Sequence, residues 1–85
     1  MRMTHHLKTW PEHFEPVHSG VKSFEFRADD RGFEVGDLLE LEEWDPETEA
    51  YTGRDVTALV VFIMRECPGL PAGYCVMGIS PFKDA

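Results

Sequence analysis

Residues 55–66 carry Val56, Ala58, Leu59, Val60, Val61, Phe62, Ile63 and Met64, a run of apolar side chains on both parities. A strand of this kind is buried on both faces or bends through a barrel. The chain has 85 residues, which leaves few other elements to bury it. A domain of this size covers only about 60–65% of its unfolded surface, so the fold must be compact. Closing the sheet removes the exposed edges that so short a chain has nothing left to cover.

The rest of the chain supplies the staves of such a barrel. Thr4 to Thr9 reads as a strand, with His5, Leu7 and Thr9 on one face and His6, Lys8 and Trp10 on the other. Thr9-Trp10-Pro11-Glu12 has the capping-box pattern, and a proline in the first turn suits a helix start. Trp10, Phe14 and Val17 then share a helical face, Pro16 keeps the helix short, and Gly20 is placed to end it. Residues 22–28 read as the second strand. The alternation predicts Phe24 and Phe26 inside, with Ser23, Glu25 and Arg27 outside.

Residues 29–32 form a turn, and Phe33 to Asp37 lead into a strand over Leu38 to Trp44. Asp45 to Glu49 is turn chemistry, which Tyr51 to Arg54 leave before the strand of residues 55–66. Cys67 to Gly73 is a loop with two prolines and two glycines, and Tyr74 to Ile79 is the last strand. The expectation is a single domain over residues 1–85, mainly β with one short helix (α+β), built as a small barrel of about five strands. Its core is expected to hold Leu7, Phe24, Phe26, Leu39, Leu41, Val60, Phe62 and Val76.

Composition narrows the partners. The hydrophobic share is 42% and the charged share 28%, as in an ordinary soluble globular chain. No apolar run approaches the ~20 residues that span a bilayer, and no apolar region follows Met1-Arg2-Met3-Thr4-His5-His6 as in a secretory signal. Cys67 and Cys75 fit no common zinc spacing and are expected as reduced thiols in a cytoplasmic protein. The net charge of −8 opposes nonspecific binding to duplex nucleic acid. Residues 1–31 nevertheless hold five bases and five acids, whereas residues 32–66 hold two bases and ten acids. An anion-binding surface therefore belongs to the first third, and the acidic middle serves solubility.

Lys22, Glu25 and Arg27, with Lys8 and Trp10 from the preceding strand end and Arg31 on the following turn, form the candidate ligand site. The two strands are joined by one short helix, so these side chains can meet in a cleft beside it. Arg27 offers a planar fork for phosphate or a base edge, and Trp10 a stacking face. Glu25 can accept from a base amino group. The competing reading is a solvated ion-pair ladder, which contributes little.

Other chemistries fare worse. His5 and His6 are adjacent and face opposite ways, and His13 and His18 are five apart rather than three or four, so no metal site is expected. Thr9, Ser19, Ser23 and Cys67 have no histidine at an informative spacing, and Arg31 to Asp37 lacks the Lys and Ser/Thr of a phosphate loop. No cofactor is implied, and a monomer is expected.

Taken together, His6-Leu7-Lys8-Thr9-Trp10-Pro11, Ser19-Gly20-Val21-Lys22-Ser23-Phe24-Glu25-Phe26-Arg27, Asp30-Arg31, Phe33-Glu34-Val35-Gly36-Asp37 and Tyr51-Thr52-Gly53-Arg54 resemble a small group of bacterial and phage proteins. That group falls within the ASCH (activating-signal-cointegrator homology) domains of the PUA-like superfamily. The resemblance runs from about His5 to Ile79, and it implies a PUA-like β-barrel and an RNA-related role. Some ASCH proteins are amidohydrolases that remove the acetyl group of N4-acetylcytidine with a Lys, Thr and Glu set. Their lysine falls on Lys22 and their threonine position on Glu25; Glu66 is a candidate for the third. A carboxylate at residue 25 replaces a hydroxyl nucleophile poorly and repels a developing oxyanion.

The function expected is an RNA- or modified-nucleotide-binding module. The alternatives are a small amidohydrolase with Lys22 as base and Glu25 polarising water, or an acidic protein-interaction module. Glu25 lies three residues from Lys22 and favours a charged lysine, which makes Lys22 an electrostatic contact rather than a base.

Overall fold

A computed structural model describes residues 2–82. The elements in chain order are β1 (Thr4–Thr9), α1 (Pro11–His18), β2 (Phe24–Ala28), β3 (Leu38–Asp45), β4 (Ala50–Met64) and β5 (Tyr74–Pro81). The strands form one sheet in the order β1-β3-β4-β5-β2. β1 runs parallel to β3, and the other three pairings are antiparallel. The sheet curls into a half-barrel. This differs from the expected closed barrel: β1 and β2 remain edge strands, and side chains rather than a backbone ladder bridge them.

Inside the curl, β1 contributes Leu7, β3 Leu39 and Leu41, β4 Ala58 and Val60, and β5 Cys75, Met77 and Ile79. α1 closes one end with Phe14 and Val17, and Phe33 enters from the loop before β3. Four expected core residues, Leu7, Leu39, Leu41 and Val60, are buried as read from their strand parity. Cys67 and Cys75 are free thiols. Burial pushes the Cys75 thiol up from its ordinary value, and nearby Asp29 adds to this.

The helix begins and ends where its punctuation lies, but not by the expected cap. Trp10 is the N-cap residue with no side-chain cap hydrogen bond, Pro11 opens the first turn, and Gly20 follows at φ 89°. Thr9 makes no capping box. Its hydroxyl donates to the Leu7 carbonyl at 3.1 Å and accepts from Arg27 Nη2 at 3.0 Å. β4 also starts earlier than expected, at Ala50, with Gly53 at φ 92°. The β3–β4 register shifts between Glu42 and Trp44, which lets the long strand bend.

The largest correction is the parity of β2. Phe24 and Phe26 are 48% and 47% exposed, whereas Glu25 is 3% exposed. Register gives the reason. Glu25 pairs with Met77 and Arg27 with Cys75, the inward residues of β5, while Phe24 and Phe26 pair with Gly78 and Val76. Phe26 instead stacks on Tyr74 on the outer face, with ring centroids 5.2 Å apart. Phe62, also expected in the core, is exposed, and Val76 is only partly buried. Phe26→Ala is therefore expected to cost about 1 kcal/mol or less, the scale of a cross-strand aromatic pair, rather than a core truncation. The urea midpoint of the variant against the parent measures it.

A buried carboxylate ties the first strand to the loop before β3. Asp37 Oδ2 accepts from His5 Nε2 at 2.9 Å and from the Glu34 N–H at 3.0 Å; Asp37 Oδ1 accepts from the Met3 N–H at 3.1 Å. Burial acts to raise the Asp37 pKa, but these hydrogen bonds outweigh it and hold the carboxyl below its ordinary value. Gly36, at φ 99°, makes the turn that brings Asp37 round.

Candidate functional site

The gap between the two edge strands is a well-formed cleft. Its volume is about 680 Å³. The end of β1 supplies Lys8 and Thr9, the start of α1 supplies Trp10, Glu12 and His13, and β2 from Phe24 to Arg27 forms the opposite wall with Lys22 above it. Five of the six expected ligand residues, Lys8, Trp10, Lys22, Glu25 and Arg27, thus line one cleft. Arg31 does not; it is exposed and donates to the His6 carbonyl at 2.9 Å.

Each polar group is positioned by a local feature. The Lys22 N–H donates to the Pro16 carbonyl at 3.0 Å, so the end of α1 sets the lysine at the cleft. Glu25 and Arg27 project from the concave side of β2. Arg27 Nε donates to Glu25 Oε2 at 2.6 Å, and Arg27 Nη2 donates to Thr9 Oγ1 at 3.0 Å. This guanidinium therefore latches β2 to β1 across the seam, a function that only its planar fork performs from one side chain.

Glu25 Oε1 is left over. It is buried and has no hydrogen-bond partner among the described residues. Lys22 Nζ lies 3.9 Å away, close enough for Coulomb attraction but too far for a hydrogen bond. A buried acceptor without a donor costs about 1–3 kcal/mol, more when charged, unless something in the cleft supplies an N–H or O–H.

The aromatic side of the cleft is partly braced. Trp10 sits 6.2 Å from Trp44 by ring centroids, and Lys8 Nζ lies 4.3 Å over the Trp44 ring. Trp10 itself is exposed. Lys22 Nζ also lies 5.1 Å from the Phe24 ring centroid. Phe24 and Phe26, expected in the core, line the cleft as well, and so do Thr9, Glu12 and His13, which lie outside the expected binding set. Their signal was their closeness to Lys8 and Trp10, but only a folded helix start shows which of them face the gap.

Two acids line this cleft, Glu25, which pairs with Arg27, and Glu12, which is exposed at the start of α1. Glu40 lies on the outer side of β3, paired with Thr57 of β4; burial raises its pKa, and Asp55 and Glu42 add to this. No group of three or more His, Cys, Asp or Glu side chains is arranged to hold a metal ion among the described residues. No helix among them is long and apolar enough to cross a membrane.

A small curled sheet with a helix across its end and a polar seam between its edges is the class this geometry defines. The chain belongs to the family described as domain of unknown function DUF3850, whose profile matches residues 4–79. It is also similar to an uncharacterized 12.9 kDa protein in the GpA 3′ region of Escherichia phage P2. The identity is 40% over 60 residues, which cover 71% of this chain and 53% of the phage protein. The chain thus spans about half the length of that curated relative.

Proposed function

We propose that the seam cleft binds RNA or a modified nucleotide, in a domain of ASCH, PUA-like descent. The observation that carries this reading is the unpartnered, buried Glu25 Oε1 on the cleft wall beside Lys22. A nucleobase presents donors and acceptors side by side on one edge. Its amino or imino N–H would satisfy Glu25 Oε1, and Lys22 would meet the neighbouring base acceptor or a phosphate. Trp10 offers the stacking surface, with Lys8 beside it, and Arg27 keeps Glu25 oriented. The net charge of −8 favours one or a few unpaired nucleotides over a duplex, whose backbone would need many cations.

A hydrolase with a side-chain nucleophile needs a free hydroxyl, whereas one that activates water between Lys22 and Glu25 does not and is left to the turnover assay below. The hydroxyl lining the cleft is that of Thr9, and both its proton and a lone pair are engaged, by Leu7 and Arg27. A binding module uses the cleft as it stands. Cytidine, N4-acetylcytidine and short single-stranded RNA, titrated at low salt and followed by amide NMR, are expected to shift signals of Trp10, Lys22 and Glu25. Glu25→Gln and Lys22→Met should each weaken binding by about tenfold or more, the loss of one charge-assisted hydrogen bond. Absence of any shift with all three ligands would defeat the proposal. Release of cytidine from N4-acetylcytidine, abolished by Lys22→Met, would assign the chain to the hydrolases instead.

A further inference from the structure

On the convex side of the sheet, the inverted parity of β2 creates a surface of a different kind. Two rows of side chains cross β2, β5 and β4 in register: Phe24, Gly78 and Phe62, then Phe26, Val76 and Met64. Tyr74 extends the second row by stacking on Phe26. Phe62 is 58% exposed, and its neighbours Phe24, Phe26, Met64 and Tyr74 are exposed as well; Phe24 and Phe26, on the edge strand, also border the seam cleft. Neither Val56–Met64 nor Tyr74–Pro81 contains a charged residue, in a chain that is 28% charged.

We infer that this face is a homodimer interface, on which two copies of the chain pack their β4-β5-β2 sheets together about a two-fold axis. Area supports a second copy. Aromatic side chains of 150–250 Å², roughly half exposed here, together with Met64 and Val61, offer roughly 500 Å² per copy. A self-complementary pairing buries at most this patch twice, roughly 1,000 Å² in total, the lower bound for a specific interface, so a weak dimer that forms at high concentration is expected. The glycine between Phe24 and Phe62 keeps the first row from being overcrowded: a Cβ at Gly78 would lie 3.4 Å from the Phe62 Cβ and 3.6 Å from Val61 Cγ2. Side chains interdigitate between stacked sheets about 10 Å apart, so the rings of the two copies would alternate across the two-fold axis.

Charge points the same way. The acids of β3 lie two strands from β5, so the faces meet where repulsion between two chains of net charge −8 is weakest. A nucleic acid on the same face would find Lys22 as the cation lying over one of its rings, at Phe24. A single cation is too few to hold a polyanion strongly.

Sedimentation velocity from micromolar to near-millimolar concentration tests the interface. The parent should reach twice the 9.7 kDa of one chain and stay there in molar salt. Phe26→Lys and Phe62→Lys, each on a different strand, should remain monomeric throughout while keeping the parent far-UV circular dichroism. If one variant fails to fold, the other decides. A parent that is monomeric at every concentration overturns the inference, as does a dimer that survives both lysine substitutions. A short RNA that shifts the ring signals of Phe62 and Tyr74 in a monomeric parent would also overturn it, by giving the face to nucleic acid.

Discussion

Asp37→Ala is expected to lower the unfolding free energy by about 3–5 kcal/mol, the cost of breaking a buried, hydrogen-bonded charge network. Domains of this length are stable by only about 4–13 kcal/mol, so the variant should be partly unfolded near body temperature. The substitution removes the acceptor of three donors at once, the Met3 and Glu34 N–H groups and His5 Nε2. Those donors are then left unpaired around a residue that is itself almost wholly buried. Asp37→Asn keeps one acceptor oxygen and should cost less.

The pH dependence has a definite sign. The folded pKa of Asp37 is held below its ordinary value, so the folded state binds fewer protons at this group than the unfolded chain. Its contribution is fully present above the unfolded value of about 4 and is lost as pH falls through the lower folded value. Urea midpoints taken at neutral pH and in acid should therefore show the parent losing more stability than Asp37→Ala across that window. Equal acid sensitivity of the two proteins would remove Asp37 from this role.

The second large effect concerns the latch across the seam. Arg27→Met should cost about 3 kcal/mol, because it leaves the buried Glu25 carboxylate with neither oxygen hydrogen-bonded and parts β2 from Thr9. Glu25→Met combined with Arg27→Met should recover most of that loss, since the unpaired charge goes with its partner and the concave side of β2 becomes apolar. Ligand binding should follow a different pattern and be lost in both. Chemical denaturation of the two single variants and the double variant gives the coupling. Costs that simply add would mean that the arginine and the glutamate do not act as a pair.

The two predictions sit at different distances from what sequence reveals. Arg27 and Glu25 were legible as an interacting acid and base because their residue types and spacing place them together on either face of a strand. Asp37 was legible only as a turn residue at a strand start. Its three partners lie 3 to 34 positions away along the chain, and no local pattern announces such a convergence.

Local periodicity settled much of the fold. The alternation of His5, Leu7 and Thr9, the short helix that buries Phe14 and Val17, and the inward Leu39 and Leu41 all follow from which neighbours share a face. The parity of β2 does not. Two phenylalanines alternating with an acid and a base determine that the strand has unlike faces, and transfer free energy alone puts the rings inside. The tertiary structure reverses this because β2 is an edge strand whose register on β5 turns Glu25 and Arg27 toward β1. There the carboxylate and guanidinium satisfy one another and Thr9, while the rings find Tyr74 and the convex surface. Residue chemistry thus pointed to five of the residues that line the cleft, Lys8, Trp10, Lys22, Glu25 and Arg27. Strand order and register, which depend on contacts far apart in the chain, decided that the cleft is the open seam of a half-barrel and that the aromatic face looks outward.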